Sequence, residues 1–420
     1  MWAMLACAST LLASATTFSP NPTPNGLMVD FKHSPSLGVR TSKPEFTWIV
    51  PPCTAGGADH VQVAYSINVT TTASTSGKEE LVWASGKVDS SASVGVVYGG
   101  PDLEPGTPYQ WTVTTWTQSS SQVTMAPTST SNSSPSNNNG VSSCQSDAST
   151  PGEFVTSLGT PGFDNSTLFL STPDAKATFG YFRKEIVVPA TMVSAQAFIT
   201  AQGDDKLFSY YKFYINGNIV DAGPGRGQAP VFGGDGTFHA LPYTTLDLTS
   251  IIANSVGKKV ALSIVGMHQS PYVILQMQFR LADGSMQLTG STDATWRAFN
   301  GDAHRNPGPA QHGGSAGTKF IEYIDARKEP VGWQLVGYDD SGGGWATAKA
   351  TPPTASDVAN LYSKMEPPIQ VCIMSRSCAV VVVGLLLVVV GLLSSSADIR
   401  TTVAFQLCFF WCGLCAILGS

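Results

Sequence analysis

The sequence has few charged residues and no run of Lys or Arg. Only 12% of the 420 residues are charged, and the formal net charge at pH 7 is −6. A chain without a basic patch cannot neutralise a phosphate backbone, so we expect no nucleic-acid partner. The 41 Gly and 27 Pro residues favour strands and loops over helices. We therefore expect an all-β part outside any membrane segment, long enough for two or three domains.

Cysteine is also scarce between the two apolar ends of the chain. Of the eight cysteines, only Cys53 and Cys144 lie in this part. Two cysteines can form one disulfide, but they do not make a disulfide-built scaffold. The sequence leaves their pairing open.

The apolar ends predict export and a membrane anchor. Residues 1–15 end in Ala13-Ser14-Ala15, the small-x-small form of a signal-peptide cleavage site, although a mature N-terminal strand is the alternative. Residues 377–397 are an uncharged run that predicts a transmembrane helix, and residues 401–420 predict a second apolar, transmembrane segment. A buried helix pair or a cleaved lipid-anchor signal would also fit these runs.

These features indicate a membrane-anchored protein of the secretory pathway, with its β-domains on the extracellular or luminal side. Sequons at Asn68 and Asn165 agree with this location, and we predict that both asparagines are glycosylated.

Residues 22–160 show the alternation of a β-sandwich. Tyr109, Trp111 and Val113 fall on one face of a strand, where they are expected to form core. A Ser- and Asn-rich insertion, residues 118–151, has almost nothing to bury and is expected to be disordered. Residues 153–158 then predict the last strand of the sandwich.

A second β-rich region spans residues 175–350. Asn216-Gly217 and Asp283-Gly284 are hairpin-turn signals, because these residue pairs tolerate positive φ. Residues 351–376 predict a linker with a short helix from Ala355 to Met365, capped by Ser356 or Asp357.

The stretch from Ile321 to Trp345 concentrates groups that sugar and metal sites use. Tyr323, Trp333 and Trp345 are candidate stacking surfaces, and Arg327 could grip sugar hydroxyls or pair with Asp339. Carboxylates for glycoside hydrolysis are present by count alone. The alternative is a solvated loop with two aromatic anchors in the core.

Calcium suits the acids of this stretch better than catalysis does. A hard cation takes carboxylate and carbonyl oxygens from flexible loops. Asp325 and Glu322 are the candidate ligands.

Several runs resemble bacterial-type α-L-rhamnosidases, which are glycoside hydrolases with β-domains ahead of a helical catalytic barrel. The runs are LVWASGKV at 81–88, LEPGTPYQWTV at 103–113, FRKEI at 182–186, FYINGNIV at 213–220 and DAR at 325–327. The resemblance covers Gly26 to Val371. The chain departs from the family pattern at Ile321 and Ile324, where Gly and Tyr are usual.

The resemblance implies a fibronectin- or immunoglobulin-like sandwich followed by a jelly-roll, galactose-binding-like sandwich at 175–350. It also implies a carbohydrate-binding accessory region for rhamnose-containing glycans, with calcium as the one expected cofactor. No part of the chain matches the barrel acids of the family, so we predict no catalytic residue and an inactive chain. Two alternatives stay open: a truncated or mispredicted product of a full-length hydrolase, and a structural cell-surface protein without a ligand.

Overall fold

The computed structural model is built almost entirely of short antiparallel strands. It describes residues 22–53, 60–71, 79–119, 143–159, 162–174, 177, 179–202, 208–226, 241–267, 271–301, 303–305 and 323–364. These residues form two β-sandwiches in sequence, as the alternation of apolar and polar residues predicts.

The first sandwich contains eleven strands. They are β1 Asn25–Val29, β2 Lys32–His33, β3 Ser36–Val39, β4 Glu45–Ile49, β5 His60–Thr71, β6 Glu80–Ala84, β7 Val88–Asp89, β8 Val96–Val97, β9 Pro108–Ser119, β10 Ser143–Gln145 and β11 Gly152–Thr156. One sheet has the order β2-β1-β4-β8. The other has the order β3-β11-β9-β5-β6, with β10 paired to β9 and β7 to β5.

The core of the first sandwich is aromatic. Tyr109, Trp111 and Val113 on β9 are all buried, which confirms the predicted face. Trp111 packs against Phe46 with the ring centres 4.6 Å apart. The Tyr109 hydroxyl accepts a hydrogen bond from the Glu104 N–H at 2.9 Å, the tyrosine-corner arrangement of immunoglobulin-type sandwiches.

Both ends of the predicted disordered insertion, residues 118–151, are ordered. Residues 118–119 belong to β9, and residues 143–145 form β10, which pairs with β9 through Cys144 and Thr117. Backbone N–H groups of β9 also donate to the hydroxyls of Ser146 (2.9 Å) and Ser149 (3.1 Å). Ser146 and Ser149 thus supply hydrogen-bond acceptors for β9 between its pairings with β10 and β11, a role that composition does not reveal. Residues 120–142 lie outside the described residues.

The second sandwich and the segments that follow it contain fifteen strands and two short helices. The strands are β12 Phe169–Ser171, β13 Phe179–Val187, β14 Met192–Gln202, β15 Phe208–Ile215, β16 Asn218–Arg226, β17 Leu241–Asp247, β18 Lys259–Met267, β19 Tyr272–Leu281, β20 Met286–Leu288, β21 Arg297–Asn300, β22 His304–Arg305, β23 Tyr323–Ile324, β24 Ala346–Thr347, β25 Lys349–Thr351 and β26 Leu361–Ser363. The helices are α1 Thr249–Ile252 and α2 Ala355–Asn360, and Ala253–Ser255 and Ala326–Lys328 are single 3₁₀ turns.

Two sheets face each other across the second core. The first has the order β25-β12-β19-β14-β17-β26, with β20 paired to β19, and the second has the order β16-β15-β18-β13-β21-β24. The predicted turn at Asn216-Gly217 joins β15 to β16, with φ of 50° and 79° at its two residues. β22 and β23 form a separate two-stranded ladder.

Strand β19 is buried on both faces, because its outer face meets the first sandwich. Val273, Leu275, Met277 and Phe279 point into the second core. On the other face, Gln278 donates to the Gly106 carbonyl at 2.8 Å, and Arg280 donates to Glu104 and Thr107 at 3.1 Å. The two sandwiches therefore share a polar, hydrogen-bonded interface within one compact unit.

The segment after the second sandwich is structured. Helix α2 begins at Ala355 as predicted, but it ends at Asn360 and not at Met365. Its cap is Thr354 and not Ser356 or Asp357, because the Thr354 hydroxyl exchanges hydrogen bonds with Asp357 in a capping box. Strand β26 then pairs in parallel with β17, so residues 361–363 extend a sheet and are not a free linker.

No helix among the described residues is long and apolar enough to cross a membrane. The predicted signal peptide at 1–15 and the predicted spans at 377–397 and 401–420 lie outside the described residues.

Candidate functional site

The stretch that concentrates acids and aromatics covers the outer face of the β16-β15-β18-β13-β21-β24 sheet. Alternation along β13 sends Phe182 into the core, while Tyr181 and Arg183 point to the outer face. Trp333 stacks on Tyr181 with the ring centres 4.7 Å apart and the planes 7° from parallel. Trp345 packs beside Trp333 at 6.0 Å, which closes an aromatic cluster between the sheet and the loop.

Both indoles are structural anchors in this geometry. Trp333 is 1% exposed and Trp345 is 6% exposed. Their N–H groups are satisfied within the loop: Trp333 donates to Glu329 at 3.4 Å and Trp345 to the Tyr338 hydroxyl at 3.2 Å. Neither ring has an open face on which a sugar could stack. The structure thus agrees with the alternative of two aromatic anchors in the core.

Arg183 holds the loop to the sheet. It is 1% exposed, and its five N–H donors have five acceptors. The acceptors are the carbonyl oxygens of Trp333 (2.9 Å), Leu335 (3.1 Å) and Tyr338 (3.3 Å) and the carboxylates of Glu185 (3.0 Å) and Asp340. A guanidinium with every donor matched and two carboxylates beside it is a buried charge that the fold can tolerate.

A second arginine supports the far end of the loop. Arg297 on β21 donates from Nη2 to the carbonyls of Asp340 (2.8 Å) and Trp345 (3.1 Å). Asp340 therefore lies between two guanidinium groups. Its carboxylate is committed to structural ion pairs with Arg183 and Arg297.

Two acids around the loop, Glu185 and Asp339, have pKa values below their ordinary range. Burial of Glu185 opposes its ionisation, but the Gly337 N–H at 2.7 Å and the Arg183 guanidinium outweigh that effect and lower its pKa. The hydroxyl and N–H of Ser341 lower the pKa of Asp339. These carboxylates are hydrogen-bond acceptors that shape turns.

Arg327 pairs with Asp325, not with Asp339. Its Nε and Nη2 lie 2.8 and 2.9 Å from the two carboxylate oxygens of Asp325, and the guanidinium side chain is 89% exposed. Asp325 also caps the 3₁₀ turn that carries Arg327. This pairing has a local cause, because Asp325 lies two positions before Arg327 in a turn and is in reach of it without any tertiary contact.

The described part of the predicted calcium site does not fit a cation well. Both oxygens of Asp325 accept from a guanidinium, which a calcium ion would have to displace. Glu322 lies outside the described residues. The backbone of Tyr323 pairs with the backbone of Arg305 in the β22–β23 ladder.

Both predicted glycosylation sites are on the surface. Asn68 is exposed on β5, and Asn165 is exposed in the connection before β12. A glycan on either asparagine would extend into solvent.

Strand β15 carries a surface that the sequence reasoning passed over. Tyr210, Lys212 and Tyr214 are half-buried on its outer face, while Tyr211 and Phe213 alternate into the interior. Tyr214 borders the covering loop, with its ring centre 6.5 Å from that of Trp333. The signal was available as the run YYKFYI, whose period of two places these three polar or aromatic residues on one face.

The fold and this surface define a class: a tandem of two β-sandwiches, the first of immunoglobulin type, with a loop-covered sheet in the second. Residues 25–133 match the family model described as the Rha78A-like, N-terminal immunoglobulin domain. The chain is also 24% identical over 382 residues to an alpha-L-rhamnosidase of Formosa agariphila, a match that covers 82% of this chain and 35% of that protein.

Two solved structures share the fold. The alpha-L-rhamnosidase from Dictyoglumus thermophilum matches 83% of this chain and 36% of its own, with a TM-score of 0.59 and 22% identity. The alfa-L-rhamnosidase from Aspergillus terreus matches 82% of this chain and 36% of its own, with a TM-score of 0.57 and 18% identity. The chain thus spans about a third of the length of these proteins. Its resemblance to the N-terminal region of α-L-rhamnosidases is confirmed.

Proposed function

We propose that this chain is a carbohydrate-binding accessory region of the α-L-rhamnosidase type, with rhamnose-containing glycans as its ligands and a second sandwich of the jelly-roll, galactose-binding-like type. The observation that carries the proposal is the similarity over 82% of the chain to a protein named for action on α-L-rhamnosides. Binding, and not hydrolysis, is the activity we assign to the described residues.

The state of the acids supports a non-catalytic role. Glycoside hydrolysis pairs an acid of raised pKa with a second carboxylate across the scissile bond. Around the loop, the pKa values of Glu185 and Asp339 are lowered. Asp340 and Asp325 are bound to arginines. Each of these four carboxylates is committed to a structural contact.

We place the sugar on the outer face of β15. Tyrosine rings offer apolar faces for the C–H face of a sugar, and an amine with neighbouring hydroxyls provides hydrogen bonds that fix its orientation. Tyr210, Lys212 and Tyr214 bring these groups together at the edge of the covering loop, and all three keep part of their surface in solvent.

Calorimetry with L-rhamnose and with a rhamnose-capped disaccharide tests the proposal, in calcium and in chelator. We expect Tyr210→Ala to weaken binding by about 2- to 10-fold, the worth of one aromatic contact of about 0.5–1.5 kcal/mol. Tyr362→Ala, a tyrosine that is 38% exposed on β26, is the matched control and should bind normally. If the folded protein binds neither sugar in calcium or in chelator, the proposal is wrong. Equal affinity with and without calcium would exclude calcium as a cofactor.

A structural cell-surface protein without a ligand is the second candidate. The burial of Trp333 and Trp345 favours it, because the two rings best suited to sugar stacking by type are used as core. A glycan array that includes rhamnosides separates the two candidates. Signal above background on any rhamnose-terminated glycan excludes the second candidate.

We further propose that the chain is exported and membrane-anchored. A disulfide joins Cys53 and Cys144, and disulfides persist in oxidising compartments. Expression in a secreting eukaryotic cell should give a chain that loses mass on endoglycosidase treatment and stays with membranes in alkaline carbonate. Asn68→Gln and Asn165→Gln should each remove one glycan, and a chain of unmodified mass would contradict the export proposal.

A further inference from the structure

One end of the first sandwich brings two cysteines and a histidine together. Among the residues that the structure describes, Cys53, His60 and Cys144 are the one group of three or more metal-ligating side chains whose ligand atoms lie within 4.8 Å of one another. Cys53 follows β4, His60 begins β5, and Cys144 lies in β10. Strand β9 joins them, because it pairs with β5 through His60 and Ser119 and with β10 through Thr117 and Cys144.

The inward face of β9 changes character at this end. Its buried stripe begins with Tyr109, Trp111 and Val113 and continues with Thr115 and Thr117, which are 1% and 4% exposed. The hydroxyls of both threonines have no hydrogen-bond partner among the described residues. A buried hydroxyl without a partner is unfavourable unless water or a ligand satisfies it.

The same two threonines belong to the wall of a cavity beside the cysteines. The cavity has a volume of about 230 Å³, and its walls include Pro51, Cys53, Thr115, Thr117 and Cys144. It has room for several waters or a small ligand. Two cysteines in its wall, a histidine beside them and room for a water fit an open metal site, in which three protein ligands leave the fourth position to water or substrate.

We propose that the reduced form of this chain binds one zinc ion through the thiolates of Cys53 and Cys144 and the imidazole of His60. A dithiol reductant donates two electrons and two protons to the sulfur–sulfur bond, which breaks into two thiols while the reductant closes its own disulfide. On binding zinc, the two thiols release two protons to solvent, and the site becomes neutral overall. The fourth ligand is a water in the cavity, whose wall includes Thr115 and Thr117.

The backbone already holds the ligands at a suitable spacing. The Cα atoms of Cys53 and Cys144 lie 5.8 Å apart. In a tetrahedral site with Zn–S bonds of about 2.3 Å, the two sulfurs lie roughly 3.8 Å apart. Separating the sulfurs by that distance is within the reach of side-chain rotation, with the strands left in place.

Cobalt titration of the full chain tests the site. The protein is reduced with a water-soluble phosphine without oxygen, and Co²⁺ replaces zinc because its thiolate charge-transfer band reports sulfur ligation. We expect the reduced wild type to bind one equivalent more than Cys53→Ser, and the oxidised wild type to lack that equivalent. The other six of the eight cysteines are the same in both proteins, so the difference counts this site alone.

Two histidine variants keep the test decisive if the cysteine variant fails to fold. His60→Ala retains the disulfide. After reduction, this variant should bind the additional Co²⁺ ion at least about 10-fold more weakly than the wild type, because even changes outside the ligand set commonly cause a loss of that size. His33→Ala, an exposed histidine of the same sandwich, should not change it. Equal affinity and stoichiometry in wild type, His60→Ala and Cys53→Ser would overturn the proposal, as would an oxidised protein that binds the same equivalent.

Discussion

Replacing Arg183 by methionine should detach the covering loop from its sheet. The substitution keeps most of the side-chain volume but removes all five hydrogen bonds and the charge opposite Glu185 and Asp340. Removing one partner of a buried ion pair usually costs about 3–5 kcal/mol. Because the side chains of Glu185 and Asp340 are 20% and 25% exposed, water can reach them, and we expect a loss of about 3 kcal/mol.

Urea unfolding followed by tryptophan fluorescence measures this loss, and hydrogen exchange localises it. Amides from Trp333 to Asp340 should exchange faster in the variant, since three carbonyls of that segment lose their donor. Arg183→Lys should fall between the two proteins, because lysine keeps the charge but offers three donors in place of five. Arg327→Met, at an exposed ion pair, is the control and should unfold like the wild type.

A small loss of stability would contradict the anchoring role of Arg183. An Arg183→Met protein that loses less than about 1 kcal/mol, the range of an exposed ion pair, with unchanged exchange over the loop, would show that the aromatic cluster alone holds the segment.

Three further predictions concern the interface between the sandwiches, pH and the disulfide. Gly106→Ala should lower the free energy of thermal unfolding by about 2 kcal/mol or more, because φ is +61° and a Cβ would collide with the second sandwich. Gly86→Ala is the control: its φ is +63° but the space around it is open, so it should cost only the backbone strain of about 1–2 kcal/mol. The folded-state pKa of Glu185 is below its ordinary value of 4.5. The stabilising contribution of this carboxylate is therefore complete above pH 4.5 and is lost as the pH falls through the lower folded-state pKa. The difference in unfolding free energy between wild type and Glu185→Gln should be constant near pH 7 and shrink in acid. Cys144→Ala should lower the free energy of urea unfolding by up to about 4–5 kcal/mol, because the disulfide with Cys53 closes a loop of 91 residues in the unfolded chain. A variant as stable as the wild type would show that the disulfide does not stabilise the fold.

Local patterns predicted much of the fold. The alternation around Trp111 identified a core strand, and residues 153–158 were correctly predicted to supply the last strand of the first sandwich, seen as β11. The Asn216-Gly217 pair identified a hairpin, since both residues adopt positive φ. These features depend on neighbours along the chain, where a period of two or a turn residue is sufficient information.

The role of the Ile321–Trp345 stretch depended on distant partners. Residue types alone allow Trp333 to be a sugar platform or a core residue. Tyr181 on β13 decides between these roles, because its ring covers the indole. Arg183 looks like a charged residue on an ordinary strand until its acceptors, about 150 residues later, are known. The pairing of Arg327 with Asp325 was missed for the opposite reason, because a local turn satisfied a charge that we had paired over a longer distance.

By itself, the sequence determined that the described part of the chain forms β-sandwiches and that the chain resembles the N-terminal region of α-L-rhamnosidases, because strand periodicity and short motifs are properties of contiguous residues. Only the tertiary structure decided which aromatic rings are core, which acids are already paired, and that Cys53, His60 and Cys144 meet at one end of a sandwich. These are facts about residues far apart in the chain. Their proximity depends on sheet register and on loop packing, neither of which composition specifies.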